Sequence, residues 1–126
     1  MRAPCRRLVE AVRDGELRAT TTPEVIQEFA HVRGRRRSRH DAADLAADFA
    51  RLLAPLIVID DEDLHAGLLQ FRDHKRLGAF DAVLVAAGLR HEATAFVSAD
   101  RAFATVDELP HVDPAADDLP TRLGLA

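Results

Sequence analysis

The stretch from Leu77 to Phe103, LGAFDAVLVAAGLRHEATAFVSADRAF, constrains the fold most. Phe80, Val83, Leu84 and Ala87 recur at the spacing of one helix face. Asp81 then falls in the first turn of that helix, where the helix dipole favours an anion. After Arg90-His91-Glu92, the run Ala93 to Ser98 reads as a short buried strand, and Asp100 follows at once to open the next helix. Ligands of an open α/β sheet bind beyond the carboxyl ends of its strands. Two carboxylates on two rigid elements are therefore expected to meet in one crevice.

The remaining chain repeats this alternation. Cys5, Leu8, Val9 and Val12 make a helical stripe that stops at Gly15, with Cys5 expected as a core thiol. Leu17 to Thr21 follows as a strand. Thr22-Pro23 is a strong helix start, with Thr as cap and Pro in the first turn. That helix is expected to bury Val25, Ile26, Phe29 and Val32, with Glu28 at the edge of the buried stripe and Glu24 turned toward solvent. Gly34 and the run Arg33 to Arg39 are expected to break it. A second helix from about Asp41 to Leu53 completes an αα-hairpin.

Pro55 ends that helix, and Leu56 to Ile59 is an apolar strand of the kind parallel sheets bury. Asp60 to Asp73 forms the next helix, with Leu64, Leu68 and Phe71 assigned to its core face. His74 to Gly78 is a loop into the organising stretch. A short helix past Phe103, an edge strand near His111 to Asp113 and a loose tail, 114–126, end the chain. Strands alternating with helices imply one three-layer α/β/α domain over 1–126 with a parallel sheet.

Composition narrows the class. A length of 126 residues allows one domain with a real core. A single cysteine excludes an internal disulfide, no apolar run is long enough to span a membrane, and the start lacks a signal peptide's apolar region. These features predict a cytoplasmic protein. The net charge of −4 argues against a broad cationic surface but leaves room for a local one at Arg33, Arg35, Arg36, Arg37 and Arg39.

Asp81-Ala82 opening an Ala-rich helix, then Val97-Ser98-Ala99-Asp100 and Phe103, resemble the C-terminal half of a PIN domain, and most of all the VapC toxins of bacterial toxin–antitoxin pairs. The resemblance implies a Mg²⁺- or Mn²⁺-dependent endoribonuclease of a type II pair. It would act on RNA phosphodiester bonds, bind a protein antitoxin and form a homodimer. It also implies that Glu28, Asp81 and Asp100 are the catalytic and metal-binding acids. Carboxylates suit such hard cations, and without one their clustered charges repel. Ser98 is a candidate supporting hydroxyl. In the family the central first strand ends in a further Asp, and no counterpart of that strand is found here. The expectation is that Leu17 to Thr21 and Ala93 to Ser98 face the gap, and that these residues alone are poorly soluble or inactive.

Each acid taken singly has a plainer reading: a helix N-terminal acid for Asp81, a cap for Asp100, a surface residue for Glu28. The arginine run fits RNA phosphates, an acidic antitoxin segment or a solvated turn between helices. The histidines show no metal-ligand spacing. Two other functions compete. One is a catalytically inactive PIN-like protein that still binds an antitoxin. The other is a phosphoacceptor receiver built on Leu56 to Glu62, for which too little chain follows.

Overall fold

A computed structural model describes residues 3–125, apart from the Pro4 side chain. Met1, Arg2 and Ala126, the ends of the expected domain, lie outside the described residues. The described fold is mostly helical α/β with a small parallel sheet. It divides into two compact units, Val9–Val58 and Met1–Leu8 with Ile59–Ala126. The first helix, α1 (Ala3–Arg13), contributes to both. It ends where Gly15 takes φ +78°, and Ala11 O accepts the N–H groups of Glu16 and Leu17. Cys5 is exposed, not a core thiol, because it falls off the face that buries Ala11.

The unit Val9–Val58 is an αα-hairpin of α2 (Pro23–Arg36) and α3 (Arg39–Leu52). Buried Thr22 caps α2, its Oγ1 accepting the Val25 N–H at 3.3 Å. Ser38 caps α3 by accepting the Asp41 N–H at 3.0 Å. The helices meet through the Phe29 and Phe49 rings, edge to face at 5.4 Å. Ala42 and Ala46 are buried on α3. Gly34 does not break α2. A Cβ there would stand 3.7 Å from the Ala42 Cβ, an ordinary contact, and the helix runs on through Arg36. The arginines Arg33, Arg35 and Arg36 are therefore helical. Val32, expected in the core, is exposed.

Leu17 to Thr21 and Leu56 to Ile59 form no ladder. One backbone bond, Ile57 N–H to Thr21 O at 2.9 Å, and the Thr20 hydroxyl donating to Pro55 O at 2.9 Å hold the two segments together. A single bond is below the repeated pairing that defines a strand.

In the other unit, α4 (Asp61–Asp73) packs on α5 (Ala79–Arg90). Asp60 caps α4 in a capping box, bonding reciprocally with Asp63. The core face of α4 is not Leu64, Leu68 and Phe71, which are exposed. It is Asp63 and Gly67, and at Gly67 α5 approaches too closely for any larger side chain. Buried Asp63 is matched by Arg90 at 2.5 Å, which also reaches Asp60 at 3.0 Å and Glu62 at 2.6 Å. The acids that suggested a receiver domain thus lie at the start of α4, where Asp60 and Glu62 grip an arginine.

Strand β1 (Phe96–Val97) pairs in parallel with β2 (His111–Val112), Phe96 opposite His111 and Val97 opposite Val112. The expected strand from Ala93 is shorter because the end of α5 takes its start: Ala93 N–H bonds Gly88 O, and Glu92 N–H bonds Leu89 O. A 3₁₀ turn, Arg101–Thr105, connects the strands. Leu77, Ala82, Val85, Ala102, Phe103, Val106 and Leu109 form the buried cluster, with Leu89 and Phe96 packed on it. The tail carries a short helix, α6 (Leu119–Arg122), whose Leu119 is buried.

Candidate functional site

Asp81 stands in the first turn of α5 and is half-buried. Gly78, the capping residue, offers no side-chain bond to the N–H groups of that turn, so an anion near them is favoured. Asp100 follows the sheet's β1 strand, as the sequence predicts. It is exposed and caps the 3₁₀ turn, its Oδ1 accepting the Ala102 N–H at 2.9 Å. Ser98 Oγ accepts the Asp100 N–H at 3.1 Å. Ser98 itself is tied to β2: its N–H bonds Val112 O at 3.1 Å, and His111 Nε2 donates to its carbonyl at 2.8 Å.

The two acids flank one packed core. Ala82, next to Asp81, and Ala102, two residues beyond Asp100, belong to the same buried cluster. The Phe103 ring anchors that cluster against Phe96 at 4.8 Å. The start of α5 and the turn that follows β1 are thereby joined through shared packing.

Glu28 lies on α2, in the other unit, and is exposed. Glu24, one helical turn earlier, was expected in solvent but is half-buried, and its Oε1 is buried with no hydrogen-bond partner among the described residues. A carboxylate oxygen in that state is costly unless something binds it. The sequence reading had turned Glu24 toward solvent. The signal was its i, i+4 relation to Glu28, which places both on one side of the helix.

Carboxylate oxygens are the correct donors for Mg²⁺ or Mn²⁺. Among the described residues no three His, Cys, Asp or Glu side chains gather as a preformed metal site. The donor chemistry fits a hard divalent cation. Its full ligand set is not assembled among these side chains.

The positive charge of the chain concentrates elsewhere. A shallow pocket at the end of α2 is lined by Phe29, Val32, Arg33, Arg36 and Arg37. Arg33 donates to Asp41 at 2.7 Å, and this bond holds the Asp41 carboxyl below its usual range.

The profile of the PIN domain family matches residues 2–109. The chain belongs to the PIN domain family, and it is a VapC-type member. It is similar to Ribonuclease VapC7 of Mycobacterium tuberculosis, with 45% identity over 128 residues that cover 98% of this chain and 86% of the relative. No solved structure gives a significant match. Among the described residues no helix is long and apolar enough to cross a membrane.

Proposed function

We propose that the chain is a metal-dependent endoribonuclease, the toxin of a VapC-type type II toxin–antitoxin pair, acting on RNA in the cytoplasm. The observation that carries the reading is the attachment of Asp81 and Asp100 to one buried cluster at a helix start and a strand end, in a chain 45% identical to a relative named as a ribonuclease.

Asp81, Asp100 and Glu28 would hold Mg²⁺ or Mn²⁺. Such a cation activates water and neutralises charge on the scissile phosphate. The chain's own part is positional. The Ala102 N–H holds Asp100 through Oδ1. The first turn of α5 supports the Asp81 charge with its N–H groups. Arg35, Arg36 and Arg37 supply cations for the RNA backbone. The antitoxin partner follows from the type of protein, not from a particular contact.

The direct test is cleavage of a structured RNA by the purified full-length protein in Mg²⁺ and in EDTA. Cleavage that needs the cation is the expected result. Equal cleavage in EDTA would refute the metal-dependent reading.

A further inference from the structure

Past Val97 the pairing of β1 with β2 runs into a proline. The Ser98 N–H bonds Val112 O at 3.1 Å, which sets Asp113 opposite Ser98 in the register of the two strands. In a parallel ladder the Ser98 carbonyl would then take the N–H of residue 114. Residue 114 is proline and has no N–H to give. A side chain fills the rung instead: His111 Nε2 donates to the Ser98 carbonyl at 2.8 Å. A carbonyl oxygen only accepts, so this bond requires the ring proton on Nε2. The imidazole is half-buried, its centroid 6.3 Å from that of the buried Phe103 ring. The backbone of His111 is held in turn, its carbonyl accepting from Arg122 Nη2 at 3.3 Å.

The bond matters for what comes next in the chain. Strand β1 has only two residues, so little regular pairing fixes the direction in which the chain leaves the sheet. The Ser98 carbonyl belongs to the peptide unit that leads to Ala99 and Asp100. With its N–H on Val112 and its carbonyl on His111, Ser98 is anchored on both sides. Its Oγ can then accept the Asp100 N–H at 3.1 Å, and Asp100 Oδ1 can accept the Ala102 N–H at 2.9 Å. Three hydrogen bonds in series thus run from the imidazole to the Asp100 carboxylate.

We propose that His111 is a positioning residue for Asp100: its Nε2–H stands in for the N–H that Pro114 lacks and sets the direction in which the chain carries Asp100 out of the sheet. It acts through Ser98, and its place in catalysis rests on the reading of Asp100 as a catalytic acid. Wild-type cleavage by Asp100→Asn would sink that reading, whereas unchanged order at Asp100 without the imidazole would sink the positioning alone.

Hydrogen exchange at single amides, read by NMR, tests the positioning without recourse to cleavage. His111→Phe keeps an aromatic ring beside Phe103 and removes the donor. It is expected to speed exchange of the Asp100 and Ala102 amides by about fivefold to tenfold, the worth of one net hydrogen bond. The Phe96 amide, bonded to Pro110 O in the same strand pair, should keep its protection. His111→Gln returns an N–H near the Nε2 position, and His111→Phe combined with Pro114→Ala returns a backbone N–H to the rung. Protection at Asp100 should recover in at least one of the two. In cleavage, His111→Phe should lower kcat by about tenfold, as a misplaced reacting group does, and leave the KM for RNA unchanged. Unchanged exchange at Asp100 in folded His111→Phe overturns the proposal. So does equal loss of protection at Phe96, or recovery in neither rescue variant, since the packing of the ring would then be the cause. A wild-type neutral imidazole that nitrogen NMR shows protonated on Nδ1 overturns it as well, and needs no variant to fold.

Discussion

Gly67 and Val83 set the distance between α4 and α5: a Cβ on Gly67 would stand 2.5 Å from the Val83 Cα. The obstacle is backbone, so it cannot swing aside. Gly67→Ala is expected to force the helices apart and to cost about 1–3 kcal/mol, as overpacking does. Urea unfolding of the two forms measures this. An unchanged midpoint would mean that the helix pair tolerates a wider spacing.

The second prediction concerns acid. The Asp63 N–H, and then Arg90, hold the Asp60 carboxyl below its ordinary 3.8. A depressed carboxyl contributes stability that is fully present above the unfolded value and is lost as pH falls through the folded one. Stability from this cap should therefore decline below about pH 3.9. Asp60→Asn should flatten that part of the profile, which thermal unfolding at stepped pH reads out. Arg90→Met should lower stability at neutral pH, since it leaves the fully buried Asp63 without its cation.

Glu92 offers a gain. It takes φ 57° at the end of α5, a conformation that costs an L side chain and not glycine. Glu92→Gly is expected to stabilise by about 0.5–1 kcal/mol after the added freedom of the unfolded chain is counted. A lowered melting temperature would contradict this.

If Arg36 and Arg37 bind the RNA backbone, replacing both with Ala should weaken binding at low salt. It should also reduce the slope of log K against log salt by about 1.4, the value for two phosphates on a single strand. An unchanged slope would leave these residues as solvated charge beside the α2 pocket.

Much of this architecture was legible locally. The cap at Thr22 depends on a few consecutive residues, and the helix over Phe80 to Ala87 on periodicity alone; the caps at Ser38 and Asp60 are equally local, but the sequence reading assigned neither. What periodicity could not supply was which face of α4 is covered. Leu64, Leu68 and Phe71 read as core because they are apolar, whereas close packing selected Gly67, and burial of Asp63 required Arg90, distant in sequence. Strand pairing is non-local for the same reason, so Leu17 to Thr21 and Leu56 to Ile59 looked like strands and formed one backbone bond. Around the candidate site, what the sequence made legible was local placement: Asp81 in the first turn of a helix and Asp100 just past a strand. Glu24 was placed in solvent because its partial burial comes from tertiary packing.

The most direct measurement is single-turnover RNA cleavage by the wild type, Asp81→Asn and Asp100→Asn in Mg²⁺, with circular dichroism confirming that all three are folded. The amide keeps the carboxylate's shape but removes the charge that holds a cation. Loss of at least about a hundredfold in rate in both variants is expected, the scale of removing one strong electrostatic contribution in a reacting site. Wild-type cleavage rates in either folded variant would contradict the assignment of that acid to the catalytic centre.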